Sequence, residues 1–347
     1  MLKLESISGF VPYPRLNNLC PYVKMNLGEI VISKENIEIF FDLIDTSALI
    51  FFEELKMPYL EGITEAANNL LSGSVDQKLS KVSKNKIESM INRVNTIDFQ
   101  KEEVRKAMQL CILKGFKHQK RTNADITPDT IGLFIAFLLE KLYANSNNIV
   151  LFDPLVGTGN LITTIANHSD KISKLIGVES NIESYRLAEA MFDMMDYGNE
   201  LYFQDTLLFH HLRADAIVAD FPYSQLDKGS YFPYDFINHH SNNLAIGGYF
   251  LGVVPNDFFE IPGSDMFKDV IKNLWQVVGL VKLPSTLFKG IGKSIFILRR
   301  SDDSIPKIEK VLLADITSFE DEEVLQIQIA KINLWFKTNL DNRGETI

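Results

Sequence analysis

The sequence has few of the residues that form covalent cross-links or transition-metal sites. It contains two cysteines, Cys20 and Cys111, in unrelated contexts, so neither a disulfide framework nor a cysteine-based zinc site is expected. Its six histidines include two adjacent pairs, His210–His211 and His239–His240, which lack the i,i+4 spacing of metal ligands on a helix. We therefore expect a protein that needs no metal.

Long apolar runs and a surplus of basic residues are missing as well. The longest apolar stretches, such as Ala48–Phe52 and Leu133–Leu139, are far short of the ~20 residues that span a bilayer. Lys3 and Glu5 stand where a signal peptide would be apolar. The net charge of −10 argues against a protein that coats nucleic acid non-specifically. We expect a cytoplasmic protein without a membrane segment, whose nucleic-acid contacts are local or assisted by a partner.

The apolar content of 46% over 347 residues is enough for a large domain and a smaller one. Residues 1–33 show no sustained period and are interpreted as an irregular N-terminal extension. Residues 34–122 predict a helical domain with helical spacing in Tyr59–Leu71 and Glu102–Phe116, broken by a polar stretch from Ser72 to Lys86. We assign residues 123–320 to a second domain and 321–347 to a C-terminal segment.

Short apolar runs alternate with helical segments after Asn123, a pattern typical of a doubly wound α/β fold. The last two candidate strands have little helix between them, which favours an antiparallel pair in an otherwise parallel sheet. We therefore predict a mixed sheet of seven strands, with candidate strands Ile149–Phe152, Leu175–Val178, Leu201–Phe203, Ala216–Val218, Gly248–Val254, Val277–Leu283 and Ser294–Leu298.

The exit of the first predicted strand is where such a sheet binds a ligand. Ile149–Phe152 is followed by Asp153-Pro154-Leu155-Val156-Gly157-Thr158-Gly159-Asn160 and then by a predicted helix. Glycines allow a tight turn and close approach of a ligand, although such turns also occur for steric reasons alone. The second strand ends in Glu179, which places a carboxylate where ribose hydroxyls bind. Thr163 replaces the third glycine of a dinucleotide fingerprint, which disfavours nicotinamide and flavin cofactors.

The run from Asp153 to Asn160 resembles the first motif of amino-directed DNA methyltransferases, and most closely that of the modification subunits of type I restriction systems. Thr127-Pro128 resembles the segment that such adenine methyltransferases use against the methionine part of S-adenosylmethionine. Asp205, after the third strand, is similar to the acid that contacts the cofactor's adenine. Val281–Phe288 and the glycine loop after it resemble a Leu-Pro-x-x-x-Phe segment of the same subunits.

The resemblance covers roughly Asp125 to Arg300 and implies a class I S-adenosylmethionine-dependent methyltransferase with a Rossmann-like sheet. The residues that it implies for cofactor binding are Thr127, Pro128, Asp153, Pro154, Gly157, Thr158, Gly159, Asn160, Glu179, Asp205 and Asp220.

The fourth strand runs into Asp220-Phe221-Pro222-Tyr223, the position of the family's catalytic loop. An exocyclic amine of adenine is a poor nucleophile because its lone pair is delocalised into the ring. By the resemblance, the Asp220 carboxylate and the carbonyl of residue 221 accept hydrogen bonds from that amine, while Tyr223 stacks on the flipped-out base. Neither cysteine follows a proline as cytosine C5 methylation requires.

Phe221 departs from the family, which has proline at this position, and so leaves the competence of the loop open. The carbonyl is present with any side chain, but a proline ring would help to aim it. Another interpretation is that residues 220–223 form an ordinary strand-to-loop turn with Phe221 in the core. The wider alternatives are transfer to cytosine N4 or to a protein glutamine, and a cofactor-binding protein with weak or lost catalysis.

DNA is the expected substrate, and a specificity subunit or another protein is the expected partner. The densest basic cluster, Lys114 to Arg121, precedes the Thr-Pro segment and is a candidate for contact with the DNA backbone, or a solvated helix face. The residues after Arg300 are too few for a separate recognition domain. We therefore expect sequence specificity to come from a partner or to be low.

Overall fold

The computed structural model describes residues 32–121, 126–210, 213–222, 224, 226–227, 230–288 and 290–340. Most of the predicted N-terminal extension, and Tyr223 of the predicted catalytic loop, lie outside the described residues.

Four helices form the first part of the chain: α1 (Lys34–Leu55), α2 (Tyr59–Ser72), α3 (Lys81–Val94) and α4 (Lys101–His118). The prediction of a polar break over 72–86 was wrong in its second half, because Lys81–Lys86 begin α3. Ser80 caps that helix by accepting a hydrogen bond from the Ser83 N–H, and three apolar residues at helical spacing, Ile87, Ile91 and Val94, are buried.

The second part of the chain is an eight-stranded sheet in the order β3-β2-β1-β4-β5-β7-β6-β8. Its strands are β1 (Ile149–Asp153), β2 (Ile172–Glu179), β3 (Asn199–Phe203), β4 (Ala214–Asp220), β5 (Leu244–Pro255), β6 (Trp275–Lys282), β7 (Lys293–Arg300) and β8 (Leu312–Asp315). The α/β class and all seven predicted strands are confirmed. The number of strands was wrong, because β8 pairs with β6 in parallel and adds an eighth.

Among the described strands, only β7 runs against the others. It pairs in antiparallel register with β5 on one side and with β6 on the other. The predicted antiparallel β6–β7 pair is therefore present, but β7 lies inside the sheet. As a result, the first residue of β7, Lys293, lies at the edge where the parallel strands end.

Helices cover both faces of the sheet. One face packs against α5 (Asp129–Leu142), α6 (Asn160–Asn167), part of α7 (Ile182–Met194) and α10 (Glu322–Asn339). The other face packs against α8 (Phe232–His240) and α9 (Ser264–Leu274). Residues of the central strands alternate between the two cores, as the two-residue period of a strand requires.

The helical part and the sheet part are joined by packing as well as by the chain. Leu187, Ala190 and Met191 of α7 belong to the core of the helices α1 to α4, while Ala188 and Phe192 of the same helix face the sheet. Helix α7 is therefore shared between the two cores.

Candidate active site

The loop after β1 has the backbone geometry that its glycines permit. Gly157 has φ +56° and Gly159 has φ +84°, in the left-handed region that favours glycine. A Cβ on Gly159 would lie 3.2 Å from the Phe192 ring of α7, so a larger residue here would also press against α7. Helix α6 begins directly after Gly159 and directs its first N–H groups towards the loop.

Glu179, the last residue of β2, is fixed against this loop. Its Oε2 accepts a hydrogen bond from the Gly157 N–H at 3.0 Å, and its Oε1 accepts from the Asn181 N–H at 2.6 Å. The Gln204 N–H donates to the Glu179 backbone carbonyl at 3.1 Å, which places the exit of β3 beside it. Asp205 follows, is exposed, and accepts from the Leu207 N–H at 2.8 Å.

Asp153 has a buried carboxyl group, and only one of its two oxygens accepts a hydrogen bond from the described residues. Its Oδ1 accepts from the Leu155 N–H at 3.0 Å, but its Oδ2 is buried and has no hydrogen-bond partner among the described residues. Burial raises the pKa of Asp153 to about 8; the Leu155 N–H opposes that rise, and the nearby carboxylates of Asp220 and Glu179 add to it. A ligand that brings a donor or a positive charge to this atom would satisfy it.

Asp220, the last residue of β4, connects three segments of the chain. Its Oδ2 accepts a hydrogen bond from the Thr127 hydroxyl at 2.9 Å, and its Oδ1 accepts from Lys293 Nζ at 2.6 Å. The same ammonium group donates to the Phe221 backbone carbonyl at 2.9 Å. One amine nitrogen therefore reaches both atoms that the sequence predicted as acceptors.

The Phe221 side chain lies in the core, as the alternative interpretation of this loop expected. It is 1% exposed, and its ring packs edge-on against Phe236 with centroids 5.0 Å apart. Its N–H donates to the Val253 carbonyl at 3.2 Å, a bond that proline cannot make. The backbone at residue 221 is thus fixed by ring packing and by a sheet hydrogen bond, and its carbonyl keeps a defined direction.

The aromatic residues after the loop are mostly part of the core. Tyr231, Tyr234 and Phe236 are buried, and Tyr234 stacks on Phe267 with centroids 4.4 Å apart. Pro222 is exposed at the mouth of the site.

A buried polar network lies behind the cofactor loop and was not predicted. Arg105 of α4 is fully buried and donates to Glu102, Asp129 and Asn160. Asn160 in turn donates to the Thr127 carbonyl at 2.9 Å and to Asp129 Oδ1 at 3.1 Å. Lys106 also pairs with Asp129. The side chain of Asn160 therefore bonds to three protein groups and ties the Thr-Pro segment to the start of α6.

Two family models match this chain. The family model described as N-6 DNA methylase matches residues 111–342. The chain belongs to the N-6 DNA methylase family. A second family model, the YtxK N-terminal helical domain, matches residues 38–116, which covers most of helices α1 to α4.

Two relatives match nearly the whole chain. The protein YtxK of Bacillus subtilis (strain 168), which is described as uncharacterized, is 30% identical over 88% of this chain and 99% of its own length. A protein of Listeria monocytogenes, described as a candidate class I S-adenosylmethionine-dependent methyltransferase, is 31% identical and has a TM-score of 0.79, over 88% of this chain and 100% of that one. The methyltransferase subunit of a type I restriction-modification system from Streptococcus thermophilus shares the fold, with a TM-score of 0.55 and 15% identity over 86% of this chain and 74% of its own.

These matches confirm the expected family resemblance, fold class and cofactor. This N-6 DNA methylase family member is an S-adenosylmethionine-dependent methyltransferase with a class I fold. The residues present fit that cofactor, because the left-handed turn at Gly157 and Gly159 allows close approach of a ligand, and the buried Asp153 Oδ2, which has no partner among the described residues, can accept from a donor or cation on that ligand.

Within the described part of the chain, no group of three or more histidine, cysteine, aspartate or glutamate side chains is arranged to hold a metal ion. No helix in those ranges is long and apolar enough to cross a membrane.

Proposed function

We propose that this methyltransferase transfers a methyl group to the exocyclic N6 amine of adenine in DNA. The proposal rests on two acceptors that converge on one amine nitrogen. In the structure that nitrogen is Lys293 Nζ, which lies 2.6 Å from Asp220 Oδ1 and 2.9 Å from the Phe221 carbonyl oxygen. An exocyclic amine has two protons to donate, and these two acceptors match them.

The chemistry needs those acceptors because the adenine lone pair is delocalised into the ring. Hydrogen bonds from both amine protons to Asp220 and to the Phe221 carbonyl draw the nitrogen towards tetrahedral geometry and free the lone pair for attack. When it is bound, S-adenosylmethionine would supply the electrophilic methyl group, and the bond from that methyl group to the sulfonium sulfur would break with its electron pair leaving on sulfur. The amine gains a positive charge as the new bond forms, and the Asp220 carboxylate is placed to accept the proton that the amine then loses.

The loops at the carboxyl ends of β1, β2 and β3 would hold the cofactor. We assign its binding to the backbone of residues 153–159, to the carboxylates of Glu179 and Asp205, and to the Thr127-Pro128 segment beside Asp220. Asn160 would act indirectly, because its amide is buried and already bonded to Arg105, Thr127 and Asp129. Its role would be to hold Thr127 in place.

DNA would be bound by a small part of the surface. Two cations of the predicted basic cluster are engaged by acids: Lys114 pairs with Asp45 at 2.5 Å, and Arg121 with Glu183 at 2.7 Å. Lys117 and Lys120 are exposed and remain candidates for phosphate contact. With a net charge of −10, the protein would depend on a partner for affinity and for sequence specificity.

The experiment is methyl transfer from labelled S-adenosylmethionine to DNA, RNA and cell protein, comparing the natural chain with Asp220→Ala. Asp315→Ala is a matched control, because Asp315 ends a strand of the same sheet and pairs with Lys282 at 3.7 Å. The proposal expects N6-methyladenine with the natural chain and with Asp315→Ala, and none with Asp220→Ala. Label in cytosine N4 or in glutamine would refute the acceptor. Binding of the cofactor by calorimetry without transfer to any acceptor would refute catalysis.

A further inference from the structure

Lys293 holds the position that the proposed function assigns to the substrate. Its ammonium nitrogen donates to both Asp220 Oδ1 and the Phe221 carbonyl, and its side chain is 23% exposed. A lysine ammonium and an exocyclic amine are both nitrogen donors, so they compete for the same two acceptors.

The backbone on either side of Lys293 is fixed in place. The Asn256 N–H donates to the Gly292 carbonyl at 2.9 Å, and the Ser294 hydroxyl donates to Asn256 Oδ1 at 2.7 Å. A Cβ on Gly292 would lie 2.6 Å from Asn256 Nδ2, so a larger residue here would displace the Asn256 side chain. Asn256 thus holds both neighbours of Lys293, and the lysine is directed into the site by the sheet rather than by a surface loop.

The charge of Asp220 stabilises Lys293 there. The Asp220 carboxylate is 14% exposed and lies 2.6 Å from the Lys293 ammonium nitrogen. A cation at this distance replaces part of the water that a largely buried carboxylate would otherwise need. Any incoming amine therefore has to displace a charge-assisted hydrogen bond, which is stronger than a neutral one.

We propose that Lys293 is an internal occupant of the amine site and sets the binding energy that any acceptor must supply before it can be methylated. An amine displaces it only if the rest of its molecule contributes binding energy, as a base in a DNA strand does through stacking and phosphate contacts. A free nucleoside contributes too little binding energy to displace the lysine. This inference rests on the proposed function for the identity of the substrate, but not for the occupancy of the site.

The first test is methyl transfer by Lys293→Met, which removes the ammonium and keeps a side chain of similar length. Free adenosine and a short single-stranded oligonucleotide serve as acceptors, and Lys272→Met, which loses an exposed ion pair with Asp269 on α9, is the control. We expect kcat/KM for both acceptors to rise about tenfold or more in Lys293→Met, as when one charge-assisted hydrogen bond no longer competes, and to stay unchanged in Lys272→Met. An unchanged or lower kcat/KM in Lys293→Met overturns the proposal, since the lysine would then assist the reaction or be irrelevant to it.

The second test does not depend on DNA. Lys293→Ala removes the side chain beyond Cβ, and n-propylammonium has the size and charge of the missing part. Calorimetry should detect n-propylammonium binding to Lys293→Ala, and no binding to the natural chain or to Lys293→Ala with Asp220→Asn, with thermal unfolding used to check that each variant is folded. If folded Lys293→Ala does not bind it, the site is not an amine site and the proposal is wrong. If Lys293→Ala binds n-propylammonium while no variant methylates DNA, the assignment of Lys293 to the amine site holds and the proposed function is wrong.

Discussion

The fully buried Arg105 allows the sharpest quantitative prediction. The substitution Arg105→Met keeps the apolar stem and removes four N–H bonds: two to Glu102 at 2.5 and 2.7 Å, one to Asp129 at 3.0 Å and one to Asn160 at 2.7 Å. Asp129 would keep Lys106 and Gln109 as partners. Glu102 would keep only the Asn167 amide, at 2.9 Å.

The loss of stability in Arg105→Met depends on whether the Glu102 carboxyl group, left without Arg105, is protonated. Burial alone would raise the pKa of Glu102, and at present the charge and hydrogen bonds of Arg105 outweigh that effect and hold the pKa below its usual value. Without Arg105 the carboxyl group would take up a proton. At pH 7 that costs about 3.7 kcal/mol for a group with an ordinary pKa of about 4.3, and at pH 5 about 1 kcal/mol.

We therefore expect Arg105→Met to lower the free energy of unfolding by about 3–5 kcal/mol at pH 7. The loss should be about 2–3 kcal/mol smaller at pH 5, because a group whose folded pKa is raised is destabilising only above its unfolded pKa. Urea denaturation at the two pH values measures both quantities. Lys114→Met on the same helix, which breaks a partly exposed pair with Asp45, should cost about 1 kcal/mol or less. A loss below about 1 kcal/mol for Arg105→Met, or a loss independent of pH, would refute this account of the network.

Three further changes test the loops of the active site. Phe221→Pro introduces the residue typical of the family, but it removes the N–H bond to Val253 and a buried ring, so urea denaturation should show a loss of about 3 kcal/mol or more. Gly159→Ala should cost about 1–2 kcal/mol, because φ is +84°, and should weaken cofactor binding measured by calorimetry. Since burial raises the pKa of Asp153 to about 8, this carboxyl is protonated at pH 7, and a cationic cofactor should expel the proton. Affinity should then rise by up to about tenfold per unit from pH 6 towards 8 and level off above it.

Each of these predictions has a matched control. Phe221→Leu keeps the N–H donor and should lose less stability than Phe221→Pro; equal losses would show that the sheet hydrogen bond is unimportant. Gly73→Ala shares a positive φ of +68° but has open space around it and follows α2 rather than a strand of the site, so it should lose stability without losing cofactor affinity. Asp153→Asn should abolish the pH dependence of binding, and a dependence that survives would assign the proton to another group.

The sequence was most informative where apolar runs and strand order determine the result. All seven predicted strands are present because each is a short apolar run, most of them buried, and the acids at the ends of β1, β2 and β4 lie at one edge because parallel strands end at one edge of a sheet. The edge strand β8 was missed since it has only four residues and Leu313 is 76% exposed. Helix α10 carries a readable signal in Leu325, Ile329, Ile332 and Phe336, which recur at helical spacing and are buried.

The contacts that connect the site could not be predicted in the same way. Arg105 and Asn160 are 55 positions apart, and Asp220 and Lys293 are 73 apart, so no local pattern joins them. The position of Lys293 could have been inferred from the predicted antiparallel pair. A strand that runs backwards begins where its neighbours end, so its first residue lies at the ligand edge of the sheet. Phe221 departs from the family's motif, and only the fold shows that its N–H and its ring fix the backbone carbonyl of residue 221.

The sharing of Arg105 among three helices also constrains how this protein can change over evolutionary time. Glu102, Asp129 and Asn160 come from α4, α5 and α6, and each depends on the same guanidinium group. Loss of Arg105 leaves the buried Glu102 carboxylate unmatched, and loss of Glu102 leaves two buried N–H groups of Arg105 without their acceptor, so these two positions are expected to be inherited together. A chimera that takes its helices α1 to α4 from a distant relative should fold well only if the donor carries the same arginine and glutamate. In such proteins, helices α1 to α4 and the methyltransferase part would have to be inherited together, and the helices could not be exchanged between distant relatives as an independent module.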